Sequence, residues 1–306
     1  MALHPQAAHA IKMAGDLPTN LTPIELRRVY TEQRVKMLAP APAVTVIKDF
    51  SVPSASTSIP ARFYCNRAKA TGLPLLVFYH GGGWMLGSID SYDTTCRRLA
   101  VMGHCAVMSI GYRLAPETPF PGAVEDAYTA TLWCAQNAAR LGIDPEKLVV
   151  WGDSAGGNLA AVVAQMSLDS KQFCVALQIL IYPATDLSRE WPSYERNASG
   201  YMLTSAALRW LRDSYAPDPR CRTDERASPM LRANLEGLPR ALIISAEYDP
   251  LVDDNKAYAD RLTAAGVATR YVCFAGMIHP FFTLGGFIDD AQRAEELICS
   301  ELRALA

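Results

Sequence analysis

One serine of this chain stands between two glycines, in the pentapeptide Gly152-Asp153-Ser154-Ala155-Gly156. The apolar run LVVW precedes this segment and AGGNLAAVVA follows it, so the pattern predicts a strand, a tight turn and a helix. Such a turn strains the serine and exposes its hydroxyl beside the positive end of the helix, as in an activated nucleophile. The alternative interpretation is a glycine-rich turn that serine caps and that has no chemical role.

A second glycine-rich segment, HGGGW at residues 80–84, follows the apolar run LLVFY. It lacks the GK[ST] and GxGxxG patterns of nucleotide-binding loops. Its backbone N–H groups are instead suited to stabilise the oxyanion that forms when a hydroxyl attacks a carbonyl. The predicted donors are Gly82, Gly83 and Ala155. His80 is predicted to hold the loop by hydrogen bonds.

The general base is expected to be a histidine that follows the serine along the chain. In hydrolases with this kind of serine turn the order is serine, acid, histidine. Of the five histidines only His279, in GMIHPFF, follows Ser154, so it is the predicted base if the fold is of this type. Two aspartates end apolar runs and remain candidates for the acid, Asp249 in AEYDPL and Asp186 in YPATDL.

The elements that must position these residues alternate between strands and helices. The segment AVTVIKDF alternates like a half-buried strand, and ARFYC is its predicted neighbour. Helical patterns occupy 122–142 and 155–168. Six apolar runs predict strands that are covered on both faces, at residues 75–79, 105–110, 148–152, 176–182, 241–246 and 270–274. We therefore predict an α/β fold with a mostly parallel, doubly wound sheet and functional side chains at the carboxyl ends of its strands.

Two parts of the chain interrupt this alternation. The first forty-odd residues are predicted to be helical, with Thr22 and Glu25 as a capping box at the start of one helix. The other part, residues 186–235, is rich in prolines and charged residues and contains one helical stretch, SAALRWLRDSY. A long surface excursion is the alternative for this second part. The predicted division gives a catalytic domain of residues 46–185 and 236–306 under a helical cap of residues 1–45 and 186–235.

Taken together, these motifs resemble the hormone-sensitive-lipase-like family of α/β-hydrolase carboxylesterases. The matching blocks run in the family's order from about Leu75 to the C-terminus, as YHGGGW, YRLAPETPFPGAVEDAY, DPEKLVVWGDSAGGNLAA, LIYPATDL, ASPM, AEYDPLVDD and GMIH. The resemblance implies an α/β-hydrolase fold, hydrolysis of short- to medium-chain acyl esters, no metal or organic cofactor, and homodimers formed through a late edge strand. It also implies that Asp249 is the acid, which orients the imidazole and stabilises its protonated form.

Several residues beside these motifs are predicted to line the substrate pocket. Trp84 and Met85 would form one wall, and Tyr201, Met202 and Leu203 would line it from the cap. Ordinary core or cap packing explains each of them equally well.

Charged residues near the motifs are predicted to be structural. Asp153 is expected to accept a hydrogen bond from a neighbouring loop, and Arg113 and Glu117 to form an ion pair under the site. Asp253 and Asp254 lie where a helix begins and are interpreted as caps that complement the helix dipole.

The residue after the predicted base is Pro280, at a position where the family commonly has glycine. Proline disfavours the helical conformation for the residue before it and removes one backbone donor. His279 is therefore predicted to be extended or in a turn, on a stiff loop.

Composition and charge exclude several classes of function. The 306 residues are 50% hydrophobic and 20% charged with a net charge of −2, and without a basic stripe neither nucleic acid nor anionic membranes are expected partners. No apolar run approaches the roughly 20 residues of a membrane span, and no signal peptide is evident, so a cytoplasmic location is predicted. The eight cysteines lack metal-ligand spacing and are predicted to be buried free thiols.

The sequence thus predicts a serine carboxylesterase that acts on a small-molecule ester through Ser154, Asp249, His279 and an acyl-enzyme intermediate. Two alternatives stay open. The same three residues could hydrolyse an amide, a carbamate or a formamide. A relative without catalysis could instead use the cap to close over a small ligand.

Overall fold

An eight-stranded sheet forms the centre of the computed structural model, which describes residues 2–14, 21–55, 57–68 and 71–305. The strands are β1 (Val46–Pro53), β2 (Ser58–Cys65), β3 (Leu73–Tyr79), β4 (Ala106–Ile110), β5 (Ile143–Asp153), β6 (Leu177–Ile181), β7 (Arg240–Tyr248) and β8 (Thr269–Ile278). The helices are α1 (Pro5–Ala14), α2 (Pro23–Val35), α3 (Asp93–Met102), α4 (Gly122–Gln136), α5 (Ala138–Leu141), α6 (Ala155–Ser170), α7 (Ser193–Arg196), α8 (Ser205–Tyr215), α9 (Val252–Ala264) and α10 (Asp290–Arg303).

The strand order is β1-β2-β4-β3-β5-β6-β7-β8. The pairs β1–β2 and β2–β4 are antiparallel, and every other pair is parallel. The predicted mostly parallel α/β sheet is confirmed. The first two strands are neighbours, as predicted, and the structure shows that they pair antiparallel. Because parallel strands end at one edge of the sheet, the segments that follow β3, β5, β7 and β8 meet there.

The interior of the sheet is apolar on both faces. Every residue of β3 is buried, and its alternate side chains enter two separate clusters, Leu75 and Val77 on one face and Leu76 and Phe78 on the other. Burial of each such side chain contributes roughly 1.5–3 kcal/mol. The edge strand β8 departs from the prediction of two covered faces, because only its last three residues are fully buried.

The described residues before 46 and those between 186 and 235 contain helices and no strand. The predicted capping box at the start of α2 is confirmed: Thr22 Oγ1 accepts the N–H of Glu25, and the Glu25 carboxylate accepts the N–H of Thr22. In the part of the chain that the structure describes, no helix has the length and apolarity needed to cross a bilayer.

The eight cysteines are all free thiols, and five of them are buried. The prediction of buried thiols is wrong for Cys174 and Cys273, which are exposed, while Cys221 is half-buried. The apolar run around Cys273 misled that prediction, because this run lies on the half-covered edge strand β8.

Candidate active site

Ser154 stands at the turn between β5 and α6. Its backbone has φ 54° and ψ −117°, a conformation that costs a non-glycine residue about 1–3 kcal/mol. The glycine two residues later makes the turn possible, since a Cβ at Gly156 would lie 1.9 Å from the carbonyl oxygen of Tyr79. The N–H of Ser154 donates to the carbonyl of Ile181 at 2.8 Å. Its neighbours Asp153 and Ala155 are buried while Ser154 remains partly accessible, as a nucleophile must.

His279 connects the serine to a buried carboxylate. Its Nε2 lies 2.9 Å from Ser154 Oγ, and its Nδ1 lies 2.6 Å from Asp249 Oδ2. The Asp249 side chain is fully buried, and its other oxygen accepts the N–H of Leu251 at 2.8 Å. With Nδ1–H donating to the carboxylate, Nε2 is free to accept the serine proton. The structure therefore brings the three predicted residues into one hydrogen-bonded chain.

The other predicted acid, Asp186, is buried but serves its own loop. Its Oδ1 accepts the backbone N–H and the hydroxyl of Ser188, and its Oδ2 accepts from the guanidinium of Arg189 at 3.1 Å. Within the described residues its carboxylate forms no hydrogen bond with His279. These local bonds leave Asp249 as the acid that the geometry supports.

Asp253 and Asp254 lie in the first turn of α9 as predicted, but they do not cap it. Asp253 pairs with Arg196 at 2.7 Å. Asp254 accepts the backbone N–H and the hydroxyl of Thr185, and thereby fixes the loop after β6. The capping prediction is wrong because Asp253 turns toward α7 and Asp254 toward the loop after β6, although their position in the first turn suits the helix dipole as expected.

The glycine loop after β3 presents two N–H groups that no described residue accepts. Gly81 is excluded as a donor to substrate, because its N–H already donates to Asp153 Oδ1 at 2.9 Å. Gly82 has φ 115°, and a Cβ there would lie 2.5 Å from the carbonyl of Leu86. The N–H groups of Gly82 and Gly83 have no acceptor among the described residues.

The third predicted donor, Ala155, is the first residue of α6. The first intrahelical bond of this helix runs from Asn158 N–H to the carbonyl of Ser154. The N–H of Ala155 therefore has no helical partner, as is usual in the first turn of a helix. It is available to a charge that develops beside Ser154.

His80 holds the glycine loop, as predicted. Its Nδ1–H donates to the carbonyl of Gly81 at 3.0 Å, and its ring stacks on Tyr112 with centroids 4.3 Å apart. The hydroxyl of Tyr112 also donates to the His80 carbonyl at 2.6 Å. Burial lowers the pKa of His80 to about 4, so the ring is neutral at neutral pH.

One of the two predicted structural contacts near the site is confirmed and the other is wrong. Asp153 accepts from the neighbouring glycine loop as expected. Arg113 pairs instead with the buried carboxylate of Asp126 at 2.8 Å, and Glu117 pairs with Arg27 of α2 at 2.6 Å. The expected pair between Arg113 and Glu117 is therefore absent from the described part of the chain, and each residue pairs with a helix outside their shared loop.

The residues predicted to line the pocket take part in packing around the site. Trp84 is buried and stacks on Tyr215 at the end of α8, with centroids 4.2 Å apart. Met85 is also buried. On the cap side, Tyr201 lies against Tyr248 at 4.8 Å, and it is half-buried like its neighbours Met202 and Leu203. Contact of these residues with substrate stays a prediction.

Two residues that support the site were not found from the sequence. The Tyr182 ring lies 4.4 Å from the His279 ring and covers one side of it. Asn197, just after α7, donates from Nδ2 to the carbonyl of Asp249 at 2.9 Å, so the predicted cap holds the loop of the acid. Neither position carries a local signal, because each contact joins segments far apart in sequence.

Pro280 begins a single turn of 3₁₀ helix, Phe281–Thr283, directly after the base. Its φ is −84°, and its carbonyl accepts the N–H and the hydroxyl of Thr283, each at 2.9 Å. His279 lies in the turn before it, which agrees with the expected restriction.

Replacement of Pro280 by glycine is expected to keep activity within about threefold of the wild type, because the carbonyl that bonds Thr283 and the Asp249–His279 hydrogen bond are retained. The melting temperature should fall, since glycine adds conformational freedom to the unfolded chain, with an effect of about 1 kcal/mol. Thermal unfolding and ester turnover measure the two effects. A loss of activity as large as that of His279→Ala would show that the proline positions the base.

Known proteins resemble this chain in sequence and in fold. A family model for the alpha/beta hydrolase fold matches residues 76–283. The chain is 37% identical to an ethyl acetate hydrolase of Pseudomonas putida over 99% of its length and 97% of that protein. It is 42% identical to the carboxylic ester hydrolase LipN of Mycobacterium tuberculosis, over 87% of this chain and 72% of that protein.

A solved structure gives the same result. A hyperthermophilic esterase from the archaeon Pyrobaculum calidifontis superposes with a TM-score of 0.94 at 37% identity, covering 100% of this chain and 99% of that one. Sequence and architecture thus match over nearly the whole length. The chain belongs to the hormone-sensitive-lipase-like family of α/β-hydrolases.

Proposed function

We propose that this protein, a carboxylic ester hydrolase by its family, works with Ser154 as nucleophile, His279 as base and Asp249 as orienting acid. The observation that carries the proposal is the hydrogen-bonded chain from Asp249 Oδ2 through His279 to Ser154 Oγ. A receptor that only binds a ligand would need neither the strained serine nor the buried carboxylate. The same chain of residues would serve amide hydrolysis, but the named relatives are esterases.

The reaction begins when Ser154 Oγ attacks the ester carbonyl while its proton moves to His279 Nε2. The carbonyl oxygen becomes an oxyanion, which the N–H groups of Gly82, Gly83 and Ala155 stabilise. Removal of one such donor costs about 10²- to 10³-fold in kcat in comparable hydrolases.

Collapse of this intermediate breaks the bond to the alkoxy group, and His279 delivers its proton to the departing alkoxide. The acyl group remains on the Ser154 oxygen. Water then attacks the acyl-enzyme with His279 as base, and the carboxylic acid leaves as the serine regains its proton.

We further propose that the segments 1–45 and 186–235 form a cap over this chemistry. The helix α8 lies directly against the oxyanion loop: a Cβ at Gly83 would be 2.5 Å from the Leu211 side chain. The stacking of Trp84 on Tyr215 joins the same two elements. Because α8 occupies the space beside the loop, we propose that the enzyme prefers short and medium acyl chains.

A series of nitrophenyl esters from acetate through butyrate and octanoate to palmitate tests this preference. We expect kcat/KM to be highest within acetate to octanoate and to fall by about tenfold or more at palmitate, because the pocket rejects the extra chain. A nitroanilide of the best acyl group is the matched amide, and we expect it to react far more slowly. Highest activity on palmitate, with activation at a lipid surface, would contradict the proposal.

We also propose that the protein forms the homodimer that the family resemblance implies. The strand β8 ends the sheet and has one side without a neighbouring described strand, which fits a homodimer joined edge to edge. A cytoplasmic location remains part of the same proposal.

A further inference from the structure

We propose that Arg34 and Arg27 of α2 are positioning residues that clamp the segment 81–92, which carries the oxyanion loop, onto the catalytic core. This inference rests on the proposed function, because it assigns the loop a role in ester hydrolysis. It extends that function to an N-terminal helix that supplies none of the reacting groups.

Arg34 is a cation buried inside the molecule, with 7% of its surface exposed. Its Nε donates to the carbonyl of Ser91 at 3.0 Å, and its Nη1 donates to the hydroxyl of Thr283 at 3.1 Å. The guanidinium carbon lies 3.6 Å from the centre of the Tyr92 ring. One side chain therefore joins α2 to the end of the oxyanion segment and to the turn that follows the catalytic histidine.

The contacts continue from Tyr92 into the site. The Tyr92 hydroxyl donates to Asp153 Oδ2 at 2.8 Å, and Asp153 Oδ1 accepts the N–H of Gly81 at 2.9 Å. Asp153 directly precedes the nucleophile Ser154. The path Arg34, Tyr92, Asp153, Gly81 thus ends at the residue before the proposed oxyanion donors.

Arg27 holds a second point of the same segment, directly after the glycine loop. Its Nε donates to the carbonyl of Met85 at 2.7 Å, and its Nη2 donates to the carbonyl of Ala115 at 2.8 Å. It also pairs with Glu117. Arg27 and Arg34 are seven residues apart and therefore project from one face of α2. With the carbonyls of Met85 and Ser91 both held, α2 fixes the chain that directly follows the oxyanion donors.

The charge of Arg34 has a consequence for pH. Burial raises the pKa of the Asp153 carboxyl above its ordinary value, and the positive charge of Arg34 opposes that shift. The ionisable groups around Asp153 come from several elements: Arg34, Tyr92, Tyr112, Cys96, Tyr182 and His279. Arg34 is therefore the fixed cation among the groups that oppose the rise in the pKa of this carboxyl.

Loss of Arg34 should move the acid limb of the activity profile to higher pH. Without the cation the pKa of Asp153 rises, so the carboxyl gains a proton at a higher pH and loses acceptor capacity toward Gly81 and Tyr92. A contact that served stability alone would not move this limb.

The test measures kcat, KM and the pH profile on a nitrophenyl butyrate substrate. We expect Arg34→Met to lower kcat about 10- to 100-fold near neutral pH with KM changed less than about threefold, since a misplaced oxyanion donor acts on the transition state. The acid limb should shift upward in Arg34→Met. Arg34→Lys keeps the charge and should keep the limb, and the double variant Arg34→Met/Asp153→Asn should lose the shift.

Arg28→Met is the matched control. Arg28 lies on the same helix, its side chain is 68% exposed, and it pairs with Glu32 one turn away. The activity of the Arg28→Met variant should stay within about twofold of the wild type, because an exposed ion pair of this kind contributes little to stability. Circular dichroism and thermal unfolding establish that each variant is folded. If Arg34→Met does not fold, Arg27→Met, whose side chain is 23% exposed, replaces it and should lower kcat in the same manner.

Two outcomes overturn the proposals separately. A folded Arg34→Met enzyme with kcat within twofold of the wild type at every pH would eliminate the clamp and leave the esterase assignment intact. A wild-type protein that neither hydrolyses the ester nor reacts with a fluorophosphonate would eliminate the proposed function, and the clamp with it.

Discussion

Replacement of Ser154 by alanine is expected to lower kcat on an activated ester by about 10⁴- to 10⁶-fold. The hydroxyl lies 2.9 Å from His279 Nε2, and its removal deletes the proposed nucleophile while the β-carbon and the turn remain. Serine hydrolases that lose this residue keep only the catalysis that the oxyanion donors and substrate binding supply. The melting temperature should change little, because the β-carbon stays in place.

Steady-state rates on nitrophenyl butyrate and labelling by a fluorophosphonate measure this effect. Ser167→Ala is a suitable control, since Ser167 is also buried on α6 but bonds only the carbonyl of Ala164 within its own helix. The control should keep both activity and labelling. A Ser154→Ala enzyme that retained more than about one hundredth of the wild-type rate would refute the nucleophile assignment.

Replacement of Asp249 by asparagine should lower kcat by about 10³- to 10⁴-fold, which is the effect expected when the imidazole is held in the wrong tautomer. The structure gives the reason. The N–H of Leu251 donates to Asp249 Oδ1 at 2.8 Å, so the amide oxygen of asparagine will take that position. The amide N–H₂ then faces His279 Nδ1, which places the proton on Nε2 and blocks acceptance of the serine proton.

Asp186→Asn provides the comparison, because Asp186 is equally buried and was the other acid that the sequence allowed. Its partners Ser188 and Arg189 belong to its own loop, so activity should remain within about threefold of the wild type. If instead Asp186→Asn abolished turnover while Asp249→Asn did not, the assignment of the acid would be wrong. Kinetics on one ester, with thermal unfolding of both variants, decide between them.

The sequence determined the elements of this protein and the positions of its reactive groups along them. Apolar runs without alternation marked the strands because burial on both faces excludes polar side chains. Gly152 and Gly156 marked the serine turn because backbone approaches there leave no room for a Cβ. Chain order alone then selected His279 among five histidines. Each of these constraints depends on a short stretch of residues or on the order of residues along the chain, so it can be recognised without the tertiary structure.

Family resemblance supplied what local patterns left open. Asp249 and Asp186 both end apolar runs, and no local property separates them. In the structure Asp249 lies 2.6 Å from His279, while Asp186 binds its own loop. Which aspartate reaches His279 depends on how β7 and β8 pair and on how the loops after them pack. This arrangement involves several segments, so no single segment of the sequence reveals it.

Tertiary structure alone decided the contacts that hold the site in place. Arg34, Tyr182 and Asn197 carry no local motif, yet each contacts a loop of the site from a distant segment. The tertiary structure also pairs Arg113 with Asp126 and Glu117 with Arg27, in place of the expected Arg113–Glu117 pair. A buried charge or amide takes whichever partner the packing brings within hydrogen-bond distance. The candidate reactive residues can therefore be identified from the sequence, whereas the residues that position them are identified only from the assembled sheet and helices.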